Sequence, residues 1–226
     1  MNEQIMRKVQ AALVKSGVMP IIDLKRTVAK VQKSEVLRET DLPAEAEWEG
    51  YFRAKAILSK VGLRSGMVLA DLGCGYGTFS IPAAKIVGKT GHVFAVDIDK
   101  KMTERVQERS HEIKIRNIST STASIFSNKR LEIPKKSVDI ALLANVIHGT
   151  KRRVYLLKHI RPILASGGSI VIVNWKRKKT PRGPPMNMRP RDKEILDDLM
   201  SAGYVKARIL RISRHHYAAI GSLALS

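Results

Sequence analysis

Short apolar runs alternate along the chain with segments whose apolar residues recur at helical spacing. Runs of this kind predict buried strands near 67–71, 93–97, 138–144 and 169–174. Helical spacing predicts helices between these strands near 78–87, 100–110 and 151–164. A strand that is apolar at successive positions is typical of a parallel sheet covered on both faces. The pattern therefore predicts an α/β fold with a doubly wound, mostly parallel sheet.

The two ends of the chain depart from this alternation. Segments 2–15 and 21–39 have helical spacing, and a further helix is expected from Pro43 to about Val61. We therefore divide the chain into a mainly helical N-terminal extension, 1–45, and a sheet domain, 46–226.

In the last part of the sheet domain, Gly167-Gly168 is expected to form the turn into the fifth strand. A helix near 191–202 then precedes two strands, 205–212 and 215–224, which should form the antiparallel end of the sheet.

A glycine-rich segment, Asp71-Leu72-Gly73-Cys74-Gly75-Tyr76-Gly77, closes the first apolar run, and Asp97 closes the second. Its glycines allow a tight turn and leave room for a ligand to approach the backbone. Asp97, at the tip of the next strand, is placed to accept hydrogen bonds from two ribose hydroxyls. The G-x-G-x-G spacing differs from the dinucleotide pattern, and the Asp71 carboxylate would repel phosphate but suits an ammonium or sulfonium cation. The two strand ends thus predict a nucleoside-cofactor site.

Four ordered segments resemble the class I S-adenosylmethionine-dependent methyltransferases from about residue 47 to about residue 225. They are 71–77, Val96-Asp97-Ile98-Asp99, Val138-Asp139-Ile140-Ala141-Leu142-Leu143, and Leu164 with Gly167-Gly168. The segment Ala144-Asn145-Val146-Ile147-His148 is most similar to the ubiquinone/menaquinone-biosynthesis-type branch. The resemblance implies a seven-stranded, Rossmann-like sheet and S-adenosylmethionine as cofactor. We expect it to be bound by Asp71, Gly73, Cys74, Gly75, Tyr76, Gly77, Asp97, Ile98 and Asn145.

Composition narrows the class of protein further. The chain has 226 residues, 44% of them hydrophobic, and no apolar stretch approaches the ~20 residues needed to span a bilayer. Cys74 is the one cysteine, so no internal disulfide is possible, and we expect it to be a packing residue. The histidines lack the spacing of metal ligands, and no metal is expected. With no apolar signal region after Met1, a cytoplasmic protein is expected; the oligomeric state is left open.

Positive charge is concentrated in one part of the chain. The net charge is +21, and segment 127–191 holds sixteen Lys or Arg against two acids. Basic residues follow the fourth and fifth strands, where doubly wound sheets bind ligands. The basic residues expected to border the methyl acceptor, together with Trp175, are Lys151, Arg152, Arg153, Lys176, Arg177 and Arg182. Phosphate neutralisation favours RNA as the partner, although a solvated basic surface is the alternative.

The segment after the fourth strand is the candidate for acceptor chemistry. Asn145 is expected to orient an amine, such as the exocyclic amine of cytosine, and His148 to accept a proton or stack on a ring. Methyltransferases that act on base amines resemble one another in an Asn/Asp-Pro-Pro-aromatic segment, but both prolines are missing here. The alternatives are that Asn145 caps a helix and that His148 has only a hydrogen-bonding role.

Two further interpretations concern the walls of the site. Trp175 is expected either to flank an extruded base or to pack on the loop 180–190. The adenine amine is expected to meet Ser127, Asn128 or a backbone carbonyl, because the usual acid is missing from this stretch. The leading hypothesis is therefore a methyltransferase acting on ribosomal or transfer RNA. The alternatives are a small-molecule enzyme of the quinone type, a protein side-chain methyltransferase and a non-catalytic binder.

Overall fold

A computed structural model describes residues 53–126 and 131–225. The helices are α1 (Ala54–Lys60), α2 (Ser80–Val87), α3 (Lys100–Glu112), α4 (Arg153–Ile160) and α5 (Asp192–Ser201). The strands are β1 (Val68–Leu72), β2 (His92–Asp97), β3 (Ile118–Thr122), β4 (Val138–Ala144), β5 (Leu164–Trp175), β6 (Val205–Arg211) and β7 (His216–Ser222). Single 3₁₀ turns cover Ile147–Gly149, Arg161–Ile163 and Met186–Met188.

The strands form one seven-stranded sheet in the order β3-β2-β1-β4-β5-β7-β6. Strands β1 to β5 pair in parallel, and β7 is antiparallel to both β5 and β6. The predicted doubly wound, mostly parallel sheet is thus confirmed. Chain order reverses between β1 and β4, and ligands of doubly wound sheets bind beyond the carboxyl ends of the strands at such a point.

Apolar side chains on both faces of the central strands explain why their sequences are apolar throughout. Leu69, Leu142 and Val171 pack on one face in a cluster with residues of α1 and α2. Leu72, Leu143 and Ile172 occupy the other face with residues of α4 and α5. Because successive side chains of a strand point to opposite faces, each central strand buries both of its sides. The helices thereby hold the carboxyl ends of β1, β2 and β4 in fixed positions.

Two elements differ from their predictions. Strand β3 was missed because its sequence, Ile-Ser-Thr-Ser-Thr, is mostly polar. It lies at the edge of the sheet and pairs only with β2, and an edge strand can carry such polar residues. Gly167-Gly168 does not precede the fifth strand but lies inside it, where the pairing with β4 shifts register between Val138 and Ile140. Gly167 has φ +70°, and a Cβ on Gly168 would lie 2.9 Å from two carbonyl oxygens. The pair therefore makes an irregularity within a strand.

Some predictions fall outside the described residues. They are the extension 1–45 with its helices 2–15 and 21–39, the start of the helix expected from Pro43, and the adenine candidates Ser127 and Asn128. Within 53–126 and 131–225, no helix has the length and apolar character needed to cross a membrane.

Candidate functional site

The loops that follow β1 and β4 meet at the point where strand order reverses. A Cβ added to Gly73, just after β1, would lie 2.5 Å from the Cγ2 atom of Val146, just after β4. Only glycine therefore allows the two loops to come this close. The contact brings the glycine-rich segment and the Asn145–His148 segment to the same edge of the sheet, as the sequence predicted.

The glycine-rich loop is fixed to β2 by backbone hydrogen bonds. The N–H groups of Gly73 and Cys74 both donate to the Val96 carbonyl oxygen, at 2.7 and 3.0 Å. Gly75 has φ +50°, and nothing in the described structure lies within 4 Å of where its Cβ would be. That combination leaves backbone open to close approach by a ligand.

Asp97 ends β2 and braces the same loop. Its carboxylate accepts hydrogen bonds from the Gly75 N–H at 2.8 Å and the Asp99 N–H at 3.0 Å. Burial raises the pKa of Asp97, and these two hydrogen bonds act in the opposite direction. Each carboxylate oxygen can accept more than one hydrogen bond, so both retain capacity for further donors. Ile98, beside it, is 51% exposed and offers an apolar surface at the site.

Asp71 lies inside the site with one oxygen unsatisfied. The side chain is only 1% exposed, and the Ser80 hydroxyl donates to its Oδ2 atom at 2.6 Å. The Oδ1 atom has no hydrogen-bond partner. Burial raises the pKa of Asp71 to about 7, and the nearby Asp97 charge adds to the rise. A buried carboxylate with an unused oxygen favours binding of a cationic or hydrogen-donating group.

Cys74 and Tyr76 support the loop from the α3 side. Cys74 is buried against Ala95 and Val106, and burial raises the pKa of its thiol, so it remains protonated and packs as expected. The Arg109 guanidinium of α3 donates to the Tyr76 carbonyl oxygen. The backbone of the loop is thus held on both sides, whereas the Gly75 position remains open.

Asn145 follows β4 in a left-handed conformation that favours glycine, with φ +58°. Its N–H donates to the Val173 carbonyl at 2.8 Å, while its side-chain Oδ1 atom is buried and has no partner. The helix-cap alternative is wrong for the turn that follows, because Val146 occupies the cap position of the 3₁₀ turn without a side-chain hydrogen bond. A strained residue with a free buried oxygen is typical of a binding position.

His148 lies one turn further on and is uncharged at neutral pH. The ring is 7% exposed, and its Nδ1 atom has no partner. Burial lowers the pKa of His148 to about 4; the Arg189 charge adds to this effect, and the Asn174 side chain opposes it. The imidazole is therefore available as a hydrogen-bond acceptor or donor rather than as a cation.

Asn174, near the end of β5, is a site residue that the sequence analysis missed. It is fully buried, its Nδ2 group is 3.5 Å from the Tyr217 hydroxyl, and its Oδ1 atom has no partner. The Tyr217 hydroxyl in turn donates to the Pro190 carbonyl at 3.2 Å. One signal was available, since this Asn interrupts the apolar second half of the strand, 170–175, just before its carboxyl end.

Trp175 packs inside the protein, so the structure agrees with packing on loop 180–190 and not with a wall for an extruded base. The side chain is 1% exposed, and its ring centroid lies 4.1 Å from that of His216. The Arg189 guanidinium lies 5.1 Å from the ring centroid, and a Cβ on Gly183 would approach the ring to 2.7 Å. Trp175 therefore anchors the loop from within.

Several of the basic residues expected at the cleft are engaged by other parts of the protein. Arg153 pairs with Asp198 of α5, and Arg177 approaches Glu194 to 3.9 Å. Arg152 lies over the ring of Tyr155. These contacts direct the side chains toward α4 and α5 rather than toward the site. Among the expected basic residues, Arg153 and Lys176 are half-buried, and the exposed ones are Lys151, Arg152, Arg177 and Arg182.

No cluster of three or more His, Cys, Asp or Glu side chains able to hold a metal ion occurs in the described ranges 53–126 and 131–225. His216, for example, is buried against Trp175, and burial lowers its pKa to about 3. The groups that meet at the strand ends are hence carboxylates, carboxamides, an imidazole and open backbone.

Comparison with known proteins agrees with this geometry. The sequence profile described as "Methyltransferase domain" matches residues 63–201, more than half of the chain. The demethylmenaquinone methyltransferase of Staphylococcus aureus (strain MRSA252) is 25% identical over 129 residues, covering 56% of this chain and 51% of that protein. The probable cobalt-precorrin-6B C(15)-methyltransferase (decarboxylating) of Sulfolobus acidocaldarius is 30% identical over 145 residues, covering 64% of this chain and 70% of that protein. The chain spans about half the length of the Staphylococcus relative.

A solved structure of similar fold is a SAM-dependent methyltransferase from Aquifex aeolicus. It aligns with a TM-score of 0.71 at 21% identity, over 87% of this chain and 98% of that one. The chain belongs to the methyltransferase-domain family, with the fold of the class I S-adenosylmethionine-dependent methyltransferases. The resemblance noted in the sequence is thereby confirmed.

Proposed function

We propose that the chain transfers a methyl group from S-adenosylmethionine to a small molecule that carries a hydrogen-bond donor next to the methylated atom. The observation that carries the proposal is a group of buried polar atoms without a geometric hydrogen bond at the ends of β4 and β5. They are the Oδ1 atoms of Asn145 and Asn174 and the Nδ1 atom of His148. The Asn174 and His148 side chains are neighbours, since Asn174 raises the pKa of His148, so the Oδ1 atom of Asn145 is the acceptor that most needs a donor from a ligand. Buried polar atoms are costly when unpaired, so the site favours a ligand that donates to them.

The residues at the ends of β1 and β2 fit the cofactor. Asp97 would accept hydrogen bonds from the ribose, and Asp71 would receive the amino-acid ammonium at its unpaired oxygen. The open backbone at Gly75 would allow close approach, and Ile98 would cover an apolar part of the ligand. When bound, the cofactor supplies an activated methyl group, so that the protein needs chiefly to position the acceptor and exclude water.

Asn145 and His148 are the proposed acceptor residues. Asn145 lies between the glycine loop and the end of β5, so its free oxygen would orient a donor group of the acceptor. The neutral imidazole of His148 would accept a hydrogen bond or a proton from the same molecule. Asn174 is fully buried beside them and would complete the acceptor side through its own unpaired oxygen.

Two findings support a small molecule over RNA. Both relatives carry names of small-molecule methyltransferases, one for demethylmenaquinone and one for a cobalt-precorrin. In addition, Arg153 and Arg177 are engaged with Asp198 and Glu194, which reduces the positive charge available near the cleft. Two of the six basic residues expected at the cleft are therefore less available to an RNA acceptor than the sequence predicted.

RNA methylation at a base amine is the second candidate. Exposed Lys151, which follows the 3₁₀ turn after β4, and exposed Arg182 favour it, because both could contact phosphates. In that case Asn145 would orient the exocyclic amine of a base such as cytosine.

A labelling experiment distinguishes these acceptors. The protein is incubated with methyl-labelled S-adenosylmethionine and separate small-molecule, RNA and protein fractions of cells. We expect label in the small-molecule fraction. Label in RNA would establish the second candidate instead, and label in protein would contradict both.

The Asn145→Gly variant tests the proposed acceptor residue without straining the backbone, since glycine tolerates φ +58°. Loss of one positioning hydrogen bond in a desolvated site should lower turnover about a hundredfold. Cofactor affinity should fall much less. The matched control is Asn187→Gly in an exposed turn, which should keep the wild-type rate. Wild-type turnover of Asn145→Gly would remove Asn145 from the acceptor site.

A further inference from the structure

Basic side chains gather where β5 and β6 end and β7 begins. In the sheet, Trp175 pairs with His216 and Arg211 pairs with Tyr217. Because β7 runs antiparallel to both neighbours, the carboxyl ends of β5 and β6 lie at the same edge of the sheet. Adjacent strands are about 4.8 Å apart, so Lys176, Arg211 and the turn that joins β6 to β7 are close neighbours. This edge is also the one at which β1 and β4 form the candidate site.

Hydrogen bonds hold these cations together. The Lys176 ammonium donates to the Ser213 carbonyl at 2.7 Å, and the Lys176 N–H donates to the His215 carbonyl at 2.8 Å. The Lys60 ammonium, at the end of α1, donates to the Arg211 carbonyl at 2.7 Å. Lys178 and Arg214 flank the same segments. We define the basic edge surface as Lys60, Lys176, Lys178, Arg211 and Arg214.

In the part of the chain that the structure describes, no acidic side chain pairs with a member of this surface. The adjacent Arg177, by contrast, does pair with Glu194. Partial burial, together with the charges of Lys178 and Arg211, lowers the pKa of Lys176. The pKa of His215 is lowered too, by partial burial and then by Lys178, Arg214 and Lys176. Like charges therefore repel one another at this edge.

We propose that the basic edge surface binds the phosphate backbone of a nucleic acid. Lys60, Lys178, Arg211 and Arg214 are exposed side chains on an open surface, not the walls of a pocket. Such an arrangement gains little from one small anion in water, but an extended polyanion releases a counterion at each phosphate contact. The surface lies at strands β5, β7 and β6, away from the β1–β4 junction, so nucleic-acid binding there is independent of which methyl acceptor the protein uses.

The test is a fluorescence-anisotropy titration of the full chain with a fluorescein-labelled single-stranded RNA at several salt concentrations. DNA of the same sequence is measured in parallel, and binding of either supports the proposal. For a variant with Lys178→Glu, Arg211→Glu and Arg214→Glu, affinity at low salt should fall about tenfold or more. The slope of log affinity against log salt should shrink by about 2, since each lost single-strand phosphate contact removes about 0.7.

A matched control separates a defined surface from net charge. Lys89, Arg116 and Lys135 are exposed and lie just before β2, β3 and β4, at the opposite edge of the sheet. Their replacement by Glu changes the net charge equally and should alter affinity by less than about threefold. Equal losses in both triple variants, or no binding by the wild-type chain at low salt, would overturn the proposal. Should the first triple variant not fold, Arg214→Ala alone should still reduce the slope by about 0.7.

Discussion

Asp71 is a buried carboxyl whose charge state should control cofactor affinity. Because its pKa is raised to about 7, the group is ionised only above about pH 7. A cationic ammonium binds the ionised form, so the affinity for S-adenosylhomocysteine should fall as the pH drops through about 7. Asp71→Asn should bind S-adenosylhomocysteine about tenfold more weakly than the wild type does at high pH, and equally weakly above and below pH 7. Calorimetric titration of the wild type and the variant across this pH range measures both affinities.

Ser80→Ala provides the matched control for this pH dependence. The Ser80 hydroxyl donates to Asp71 and lowers its pKa, opposing the effect of burial. Removing the hydroxyl should raise the pKa of Asp71 further and move the midpoint of binding to higher pH. A wild-type affinity that is constant across neutral pH would show that Asp71 does not meet the cationic group.

The positions of most residues proposed to bind the cofactor could be predicted from the sequence, whereas their electrostatic states could not. Asp71 and Asp97 follow apolar runs, so the parallel topology alone brings them to one edge. The left-handed backbone of Asn145 occurs where its N–H donates to Val173 of β5. The low pKa of His148 comes from burial and from the charge of Arg189, which is distant in sequence. Asn174 was missed for a related reason, since its burial between β4 and β7 appears only in the folded sheet.

At the level of elements, the loop between β5 and α5 is held by Arg189. Its guanidinium donates to the carbonyl oxygens of Pro184, Lys178, Lys176 and Arg182, at 2.8 to 3.3 Å, and lies over the Trp175 ring. Arg189 is buried, so its loss leaves these carbonyls without their donor. Arg189→Ala should lower the free energy of unfolding by about 3 kcal/mol, measured by chemical denaturation.

Arg182→Ala, at an exposed position of the same loop, is the comparison variant. Surface replacements typically change stability by about 0.5 kcal/mol or less. Proteolysis within the loop should also become faster in Arg189→Ala but not in Arg182→Ala. Equal stability of the two variants would show that the carbonyl contacts of Arg189 do not hold the loop.

The elements themselves were predictable where apolar residues recur on both faces of a strand. Strand β3 was not, because Ile118 is its one apolar residue and the strand pairs on one side alone. The boundary of β5 was also wrong, because glycines that usually mark a turn instead form an irregularity inside a strand. In both cases pairing partners, which local sequence does not contain, decided the outcome.

At the scale of the whole molecule, the sequence showed how much positive charge the chain carries but not where it acts. Arg153 and Arg177, counted among the cleft residues, pair with acids of α5. Arg211 and Arg214, outside the charged segment 127–191, instead join Lys176 at the edge formed by β5, β6 and β7. Pairing and exposure, not the number of basic residues, separate the charges that stabilise the fold from those available to a partner.

The central claim is that the ends of β1 and β2 form a site for S-adenosylmethionine, and Asp97→Ala tests it most directly. Asp139→Asn is the control, since Asp139 accepts a hydrogen bond from the Val68 N–H at the opposite edge of the sheet. Hydrogen bonds to charged groups contribute about 1.5–3 kcal/mol, so loss of the ribose contacts should weaken S-adenosylhomocysteine binding at least about tenfold. In isothermal titration calorimetry, the wild type and Asp139→Asn should bind S-adenosylhomocysteine with similar affinity. Asp97→Ala should remain folded and show the loss. No binding by the wild type, or wild-type affinity in Asp97→Ala, would contradict the claim.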